Sequence, residues 1–236
     1  MTAKRVARVS NKLLARLPAT DYQRLYPRFE TVPMPFKQVL HRGGEEVRRV
    51  YFPEGGVCSI TQVMADGRMV ETATVGNEGL VGITACFGKG LEPGEAIVQV
   101  PSGSAQVLDV AVFREEMARR GALYDVINRY VQAYMILVAQ AVACNALHSV
   151  EERLARWLLA SHDRMGQDDF PLTQESLAIM LGVRRSSVTL AFGALSREGL
   201  IDHATKKIRI KNREGLEAAS CECYATVAKH FARLLP

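Results

Sequence analysis

The stretch from Thr173 to Leu200 constrains this chain more than any other; its sequence is TQESLAIMLGVRRSSVTLAFGALSREGL. Thr173 is placed to cap a first helix, and Gly182 stands where the chain must turn, because glycine enters left-handed backbone conformations at little cost. Apolar residues recur at helical spacing before and after that turn. They are Leu177, Met180 and Leu181 in the first helix and Val188, Phe192 and Leu195 in the second. The stretch is therefore predicted to fold as a helix-turn-helix.

The start of the second helix is predicted to expose two guanidinium groups and two hydroxyl groups. Arginine matches guanine O6 and N7 with a bidentate fork, and hydroxyl groups suit phosphate oxygens. This arrangement is typical of a helix that enters the major groove, although an ordinary helical hairpin with a solvated basic end has the same pattern. The predicted DNA-binding residues are Thr173, Gln174, Arg184, Arg185, Ser186, Ser187, Thr189, Lys206 and Lys207.

A β-hairpin is predicted directly after these helices. Ile201, Ile208 and Ile210 alternate with polar residues on the two sides of a polar turn at 205–207, as in the wing of a winged helix. Residues 173–213 contain eight Lys or Arg and three Asp or Glu, so they carry a net charge of +5, which equals that of the whole chain. Because neutralising phosphates drives nucleic-acid binding, this location of the charge favours double-stranded DNA as a partner.

The overall composition limits the architecture and the compartment. A chain of 236 residues with 48% hydrophobic residues is expected to form one or two folded domains. We expect no apolar run long enough to span a bilayer, and the basic N-terminus lacks the features of a secretory signal. Five cysteines without a framework spacing are typical of a reducing compartment. The sequence therefore predicts a cytoplasmic protein with no membrane partner.

Residues 30–110 have a different texture from the rest of the chain. Short apolar alternations are separated by turn sequences such as GGEE, PEGG, GNEGLVG and PSGS, which predicts an antiparallel sandwich or barrel. ADGR at 65–68 is a favourable hairpin turn. Residues 11–29 are predicted to be a short helical lead-in to these strands.

From Leu123 the apolar spacing becomes helical and resembles heptads. A second apolar stripe runs through Val131, Met135, Val138 and Val142. A helix that is apolar on two sides packs against two surfaces, which we interpret as its own barrel and the same helix of a second subunit; burial inside one large domain is the alternative. The residues assigned to the dimer interface are Leu123, Ile127, Tyr130, Tyr134, Leu137, Ala141 and Cys144.

A break is predicted at the end of this long helix. Ser149 and Glu152 have the spacing of a capping box, which restarts a helix at Val150. Asn145 and Ser149 are therefore assigned to a hinge. The resulting division is a sensor or effector barrel with its lead-in at 1–120, a dimerisation helix at 121–148 and a winged helix-turn-helix at 149–236.

Catalytic, cofactor and metal sites are not predicted. Cys221 and Cys223 lie two apart in a predicted helix, so they are expected to point to different faces and not to share a metal ion. Cys144 and His148 are interpreted as interface or core residues. A cupin-type enzyme needs a histidine-rich metal set, but the strand region contains only His41. Besides a DNA-binding protein and a cupin-type enzyme, the remaining alternative is an adaptor that dimerises through the long helix without binding DNA.

The order of barrel, long helix, capped helix, helix-turn-helix and wing resembles the Crp/Fnr superfamily of bacterial transcription regulators. The segments YFPEGGVCSI, VGNEGLVG, LHSVEERLARWLL and LTQESLAIMLGVRRSSVTLAFGALSREGLI carry the resemblance. It implies an α+β fold with an antiparallel jelly-roll barrel similar to cyclic-nucleotide-binding domains, and a homodimer that binds a two-fold symmetric DNA site and RNA polymerase. In this resemblance Arg185 matches the main base-reading arginine, and Thr173, Gln174 and Ser187 match phosphate contacts. Ser186 stands where many members carry a glutamate.

The resemblance also bears on control. Cyclic-nucleotide-binding members bind ribose with a Gly-Glu pair and the cyclic phosphate with an Arg-Ser or Arg-Thr pair, whereas the matching positions here are Gly82-Ile83 and Gly94-Glu95. Iron–sulfur members use clustered N-terminal cysteines, and no cysteine precedes Cys58. Control by cyclic AMP or an iron–sulfur cluster is therefore not expected, and an unidentified small-molecule effector stays open.

Overall fold

The structure is a computed structural model that describes residues 9–101, 103–204 and 207–236. The strands are β1 (Glu30–Pro33), β2 (Val39–His41), β3 (Arg49–Pro53), β4 (Val57–Val63), β5 (Met69–Val75), β6 (Glu95–Val100), β7 (Ser104–Asp109), β8 (Asp169–Pro171), β9 (Ile201–Ala204) and β10 (Lys207–Ile210). The helices are α1 (Ala19–Leu25), α2 (Val110–Ala118), α3 (Ala122–Leu147), α4 (Val150–Met165), α5 (Gln174–Leu181), α6 (Arg185–Arg197), α7 (Arg213–Ala219) and α8 (Cys223–Leu234). Short 3-10 helices lie at Leu14–Arg16, Tyr26–Arg28 and Ile83–Cys86.

Two antiparallel sheets form the N-terminal sandwich, with strand orders β1-β7-β3 and β2-β6-β4-β5. Successive side chains of a strand point to opposite faces of the sheet. In β6 every second side chain is therefore buried. The β4–β5 hairpin turns at the predicted position, where Gly67 has a φ of 82°. The predicted fold class is confirmed, and of the two predicted forms, sandwich or barrel, the described strands form the sandwich, because each sheet keeps its own edge strands.

Helix α3 is 26 residues long and packs against both the sandwich and α8. By length and mean hydropathy (1.4) it meets the requirements of a membrane span, which corrects the expectation that no apolar run is long enough. Helices that form the core of a folded domain have the same composition. Here eight α3 side chains are buried within the chain, and Tyr130 forms an edge contact with the ring of Phe231 in α8 at 6.4 Å.

The stripe that we assigned to a dimer interface faces the interior of the chain. Six of its seven side chains are between 0 and 8% exposed and Tyr134 is half-buried, so they cannot supply surface to a second copy. The assignment fails because both faces of α3 have helical apolar spacing, and only the distant sheets and α8 decide which one is covered. Met135, at 66% exposure, and Val142, at 67%, lie on the uncovered face.

The C-terminal module has an apolar core built from α4 to α7 and a three-stranded sheet, β8-β10-β9. The wing is confirmed: Ile201 pairs with Ile210, and both are buried. The third strand, β8, was not expected because it is only three residues long. Val57 and Val100 of the sandwich complete this core, so the module packs directly on the sheets.

The C-terminal segment, predicted as one last amphipathic helix, forms two helices, and its end leaves the module. It consists of α7, a short loop and α8, and α8 returns to pack on α3. Leu235, just beyond α8, is buried in the sandwich core with Leu13 and Leu14. The predicted domain boundaries stay a prediction, but the last helix belongs spatially with the long helix.

Candidate nucleic-acid interface

Helices α5 and α6 form the predicted helix-turn-helix, and their axes turn by 109° between them. The Thr173 hydroxyl accepts a hydrogen bond from the backbone N–H of Ser176 at 3.1 Å and so caps α5. Gly182 ends α5 in the left-handed conformation, with a φ of 63°. The Val183 N–H then bonds to the Ala178 carbonyl at 3.0 Å. The cap and the turn predicted from sequence are confirmed.

The first turn of α6 presents its polar groups to solvent. Arg184 is the N-cap residue rather than the first helical residue, so the helix begins at Arg185, one position later than expected. The exposed positions are Arg184, Arg185, Ser186, Thr189 and Leu190, whereas Ser187 is half-buried. Val188 is fully buried and anchors this turn to the module core. The geometry therefore fixes the backbone while leaving both guanidinium groups free to reach a groove.

A side-chain contact joins the two helices of the motif. The Thr189 hydroxyl lies 2.8 Å from Gln174 Oε1 and 3.1 Å from the carbonyl oxygen of Arg185. Gln174, at the start of α5, is thus held beside the exposed face of α6. The structure brings together the predicted residues Thr173, Gln174, Arg185 and Thr189 at one surface.

The wing adds basic groups, but not all of them are free. Lys207 is exposed at the start of β10, and Lys206 lies outside the described residues. Arg209 forms an ion pair with Asp169 at 2.6 Å, and Arg213 forms one with Asp163 at 2.8 Å. Among the described residues of this surface, the basic side chains without an ion pair are Arg184, Arg185, Arg197, Lys207 and Lys211. These five set the positive potential that a phosphate backbone would meet.

The junction between α3 and α4 has the predicted cap. The Ser149 hydroxyl accepts a hydrogen bond from the Glu152 N–H at 3.3 Å, and the Glu152 carboxylate accepts one from the Ser149 N–H at 2.8 Å. This bonding to Ser149 lowers the pKa of Glu152. Asn145, the other predicted hinge residue, is exposed on the last turns of α3.

Buried polar contacts attach the module to the sandwich. Arg164 of α4 lies 2.7 Å from the Glu78 carboxylate and also donates to the Thr74 hydroxyl at 2.6 Å. Burial opposes ionisation of Glu78, but Arg164 outweighs it and lowers the Glu78 pKa. A Cβ at Gly76 would lie 2.5 Å from Arg164 Cδ. Because Gly76 has no side chain, the GNEGLVG segment leaves room for the Arg164 side chain. The turn chemistry of the sequence did not indicate this role.

The positions matched to the cyclic-nucleotide pocket carry other groups. Gly82 has a φ of 94°, and a Cβ there would lie 3.1 Å from Nε2 of the buried His41. Burial lowers the pKa of His41 to about 4, so this imidazole is neutral near pH 7. Glu95 forms an ion pair with Arg42 at 4.0 Å. A cleft of about 670 Å³ lies beside β2 and β3, lined by residues that include His41, Arg42, Arg48 and Tyr51.

Four residues that we did not expect to meet form a cluster near the hinge. Cys144 and His148 end α3, and Cys221 and Cys223 lie next to each other in space because Cys221 is in the loop before α8. The expectation that the two cysteines point apart assumed that both lie in a helix. Cys223 is the first residue of α8 and Cys221 precedes it, so the helical argument does not apply. Their ligand atoms lie within 4.8 Å of those of Cys144 and His148.

Comparison with known proteins gives the same architecture. Residues 152–219 match the Crp-like helix-turn-helix domain. The fold is similar to FixK2 from Bradyrhizobium japonicum, with a TM-score of 0.69 and 14% identity over 82% of this chain and 98% of that one. It is also similar to TTHB099, a CRP-family transcriptional regulator from Thermus thermophilus, with a TM-score of 0.65 and 23% identity over 81% and 96%.

The chain has the Crp/Fnr fold. A third solved structure, the c-di-GMP-responsive global regulator CLP of Xanthomonas campestris, has a TM-score of 0.65 and 16% identity, covering 82% of this chain and 99% of that one. No curated protein sequence matches the chain. The order of sandwich, long helix and helix-turn-helix expected from the sequence is therefore confirmed as a fold.

Proposed function

We propose that this chain is a sequence-specific, DNA-binding transcription regulator and not an enzyme. One observation carries the proposal: the first turn of α6 exposes Arg184, Arg185 and Ser186 above an apolar elbow, on the part of the chain that carries the entire net charge. The match of residues 152–219 to a Crp-like helix-turn-helix domain supports it. The regulator acts in the cytoplasm, on duplex DNA, with RNA polymerase as a further partner.

Base reading is tested with Arg185→Ala. Loss of a bidentate contact to guanine is expected to cost about 1–3 kcal/mol of binding free energy and to relax base preference at one position of each half-site. Lys207→Ala removes a phosphate contact, so it should weaken all sequences alike and lower the salt slope by about 1. The measurement is fluorescence anisotropy on selected and random duplexes at two salt concentrations.

The control is Arg28→Ala, which removes an exposed arginine of the lead-in. It should leave affinity and preference unchanged. If Arg185→Ala keeps wild-type preference in binding-site selection, the base-reading role is wrong. If the wild type shows no salt-dependent binding to any duplex, the chain is an adaptor or an enzyme instead.

The regulator is proposed to act as a homodimer that binds a two-fold symmetric site. The uncovered face of α3 carries residues spaced alternately four and three apart, the repeat of a two-helix seam. They are Asn128, Gln132, Met135, Ala139, Val142 and Ala146. Pairing this stripe with its symmetry mate would bury Met135 and Val142, which a single chain leaves in water.

Val142→Glu tests the seam, because it places like charges across the two-fold axis in an apolar setting. Sedimentation should show monomers with weakened DNA binding. Val63→Glu, at a 43% exposed position on the sandwich, is the control and should stay dimeric. A wild type that is monomeric at micromolar concentration contradicts the proposal. Leu137→Glu is a poor test, because Leu137 is buried inside the chain and its replacement would unfold it.

Cyclic AMP is not the proposed effector. The arginine and glutamate that would bind its phosphate and ribose are replaced at Gly94 and Ile83, and Glu95 would repel the phosphate. Calorimetry with cyclic AMP should show no binding, and a micromolar dissociation constant would contradict this part of the proposal. An unidentified small-molecule effector would have to change the geometry at the α3–α4 hinge.

A further inference from the structure

The cluster next to the hinge contains three thiols and one imidazole. The Sγ atoms of Cys144 and Cys221 are 3.5 Å apart, and Cys223 Sγ lies 3.5 Å from Nδ1 of His148. All four ligand atoms lie within 4.8 Å of one another. The three cysteines are 0–4% exposed and form a buried cluster of their own, separate from the larger cores.

We propose that Cys144, His148, Cys221 and Cys223 bind one zinc ion in a tetrahedral Cys₃His site. Zinc bonds of about 2.3 Å to sulfur and 2.0–2.1 Å to nitrogen place ligand atoms about 3.5–3.8 Å apart, close to the spacing of this cluster. Soft thiolate ligands with an imidazole favour zinc over magnesium or calcium. Binding forms three Zn–S bonds and one Zn–N bond and releases the thiol protons to solvent.

The surroundings of His148 fit a ligand role. Its Nε2 lies 3.1 Å from the Glu222 carboxylate, so the proton belongs on Nε2 and the Nδ1 lone pair faces the thiols. Metal-binding histidines are commonly oriented by a carboxylate in this way. Gln140 Nε2 also donates to Cys223 Sγ at 3.1 Å, which fixes one of the sulfur atoms. The four ligand groups are thus positioned by their neighbours.

Two arginines of α4 match the charge of the site. Zinc with three thiolates and a neutral imidazole carries one negative charge, and Arg153 and Arg156 both interact electrostatically with Cys144. Arg153 is 6% exposed and donates to the Leu181 carbonyl. The Nε atoms of both arginines are buried without a hydrogen-bond partner in the described part of the chain. A negatively charged site beside them would compensate buried positive charge.

The ion would fasten together segments that are far apart in sequence. Cys144 and His148 end α3, and Cys221 and Cys223 belong to the start of α8. Ser149, directly after the ligand His148, caps α4, so the bound ion would also restrict the hinge. The metal site itself does not depend on the proposed DNA binding and is tested without DNA.

The first test is metal binding by the full chain under reducing conditions. The metal-free protein, supplied with zinc, should retain one zinc ion per chain after gel filtration. Cobalt(II) in its place should give the visible bands of tetrahedral coordination and the near-ultraviolet absorption of thiolate ligands. If the reduced wild type takes up neither metal, the proposal is wrong.

Variants assign the ligands. Cys221→Ser, in a loop, and His148→Gln, at a helix end, should each lose at least tenfold in zinc affinity and change the cobalt spectrum. Glu222→Gln should weaken binding about 10–100-fold through the orientation of His148. Cys58→Ser and Cys86→Ser are matched controls outside the cluster and should bind normally. Circular dichroism checks that each variant folds, and unchanged zinc affinity in folded Cys221→Ser and His148→Gln overturns the assignment.

Discussion

The C-terminal module is attached to the rest of the chain on two sides, and the two attachments use different chemistry. On the sandwich side, Arg164 binds Glu78 and the Trp157 indole donates to Glu71 at 3.0 Å, so buried charge and hydrogen bonds accompany the apolar contact of Val57 and Val100. On the side of α3 and α8, the Tyr224 hydroxyl of α8 donates to Asp163 of α4 at 2.8 Å, and a thiol cluster next to the α3–α4 junction joins Cys144 to Cys221 and Cys223. The first attachment holds only while every buried charge has its partner. The second contains groups that a metal ion could join.

The difference separates a permanent contact from a conditional one. The sandwich contact is complete within the chain, because the Arg164 guanidinium meets a carboxylate, a hydroxyl and the Thr74 carbonyl. The thiol cluster is not complete in the same sense, because thiols hydrogen-bond weakly with one another. We infer that the sandwich side fixes the position of the module and that the α3–α8 side adjusts it.

The largest expected effect comes from removing the central cation of the sandwich contact. Arg164→Met should lower the free energy of unfolding by about 3–5 kcal/mol, because the Glu78 carboxylate stays buried without its partner. Denaturant unfolding measures this. The double variant Arg164→Met, Glu78→Gln removes both charges and should recover a large part of the loss. If the double variant is as unstable as the single one, packing rather than charge holds this side.

A smaller effect is expected from filling the space that this arginine occupies. Gly76→Ala would place a Cβ 2.5 Å from Arg164 Cδ, and the guanidinium is held at its far end by Glu78 and Thr74. We expect a loss of about 1–3 kcal/mol, as for overpacking in a core. Gly121→Ala is the control, since a Cβ there meets no atom within 4 Å. When Gly76→Ala is combined with Arg164→Met, the further loss of unfolding free energy should be smaller. If the loss is as large as in the wild-type background, the new Cβ does not act through Arg164.

Glu71 gives the sandwich contact a pH dependence. Burial raises the pKa of Glu71 to about 7, against hydrogen bonds from Ser59 and Trp157 that lower it. The folded chain therefore keeps a proton that the unfolded chain releases between pH 4.5 and pH 7, so this group makes stability fall as pH rises through that window. Glu71→Gln stays neutral and should abolish that fall.

Above pH 7 the Glu71→Gln variant should be more stable than the wild type by roughly 1–3 kcal/mol. Thermal unfolding from about pH 4.5 to pH 8 measures the difference. Glu45→Gln, at an exposed position, is the control and should follow the wild-type profile. If Glu71→Gln and the wild type have parallel profiles, Glu71 is already ionised in the folded state.

The features that could be predicted from sequence depend on neighbours within a few residues. The Thr173 cap, the Gly182 turn and the Ser149–Glu152 capping box are each set by backbone geometry over three or four positions, and all three are present. The exposure of Arg185 follows from the same local spacing. The exposed start of α6 was accessible to sequence reasoning because a helix-turn-helix is a local motif.

The features that could not be predicted depend on distant parts of the chain. The apolar stripes of α3 are equally helical, and the sheets and α8 decide that Leu137 is covered and Val142 is not. The cysteine cluster exists because α8 returns to α3, which brings Cys221 to Cys144 across 77 positions. The sequence did contain one signal, because Cys144 and His148 are four residues apart and so share a helix face. The other two residues of the cluster, Cys221 and Cys223, lie too far along the chain for local spacing to connect them to this pair.

The last prediction has the smallest expected effect on stability. It concerns the α3–α4 junction. Ser149→Ala removes the hydroxyl that caps α4 and should cost about 1 kcal/mol. Asp109→Ala removes the equivalent cap of α2, where Asp109 accepts from the Ala111 N–H at 2.8 Å, and is the matched control of similar cost. If the α3–α4 junction adjusts the module, Ser149→Ala should change DNA affinity in anisotropy measurements while sedimentation shows the same assembly, and Asp109→Ala should not. If the two variants lower thermal stability equally and leave affinity unchanged, the junction is only a helix start. The chain would then be a constitutive binder whose activity follows its own abundance.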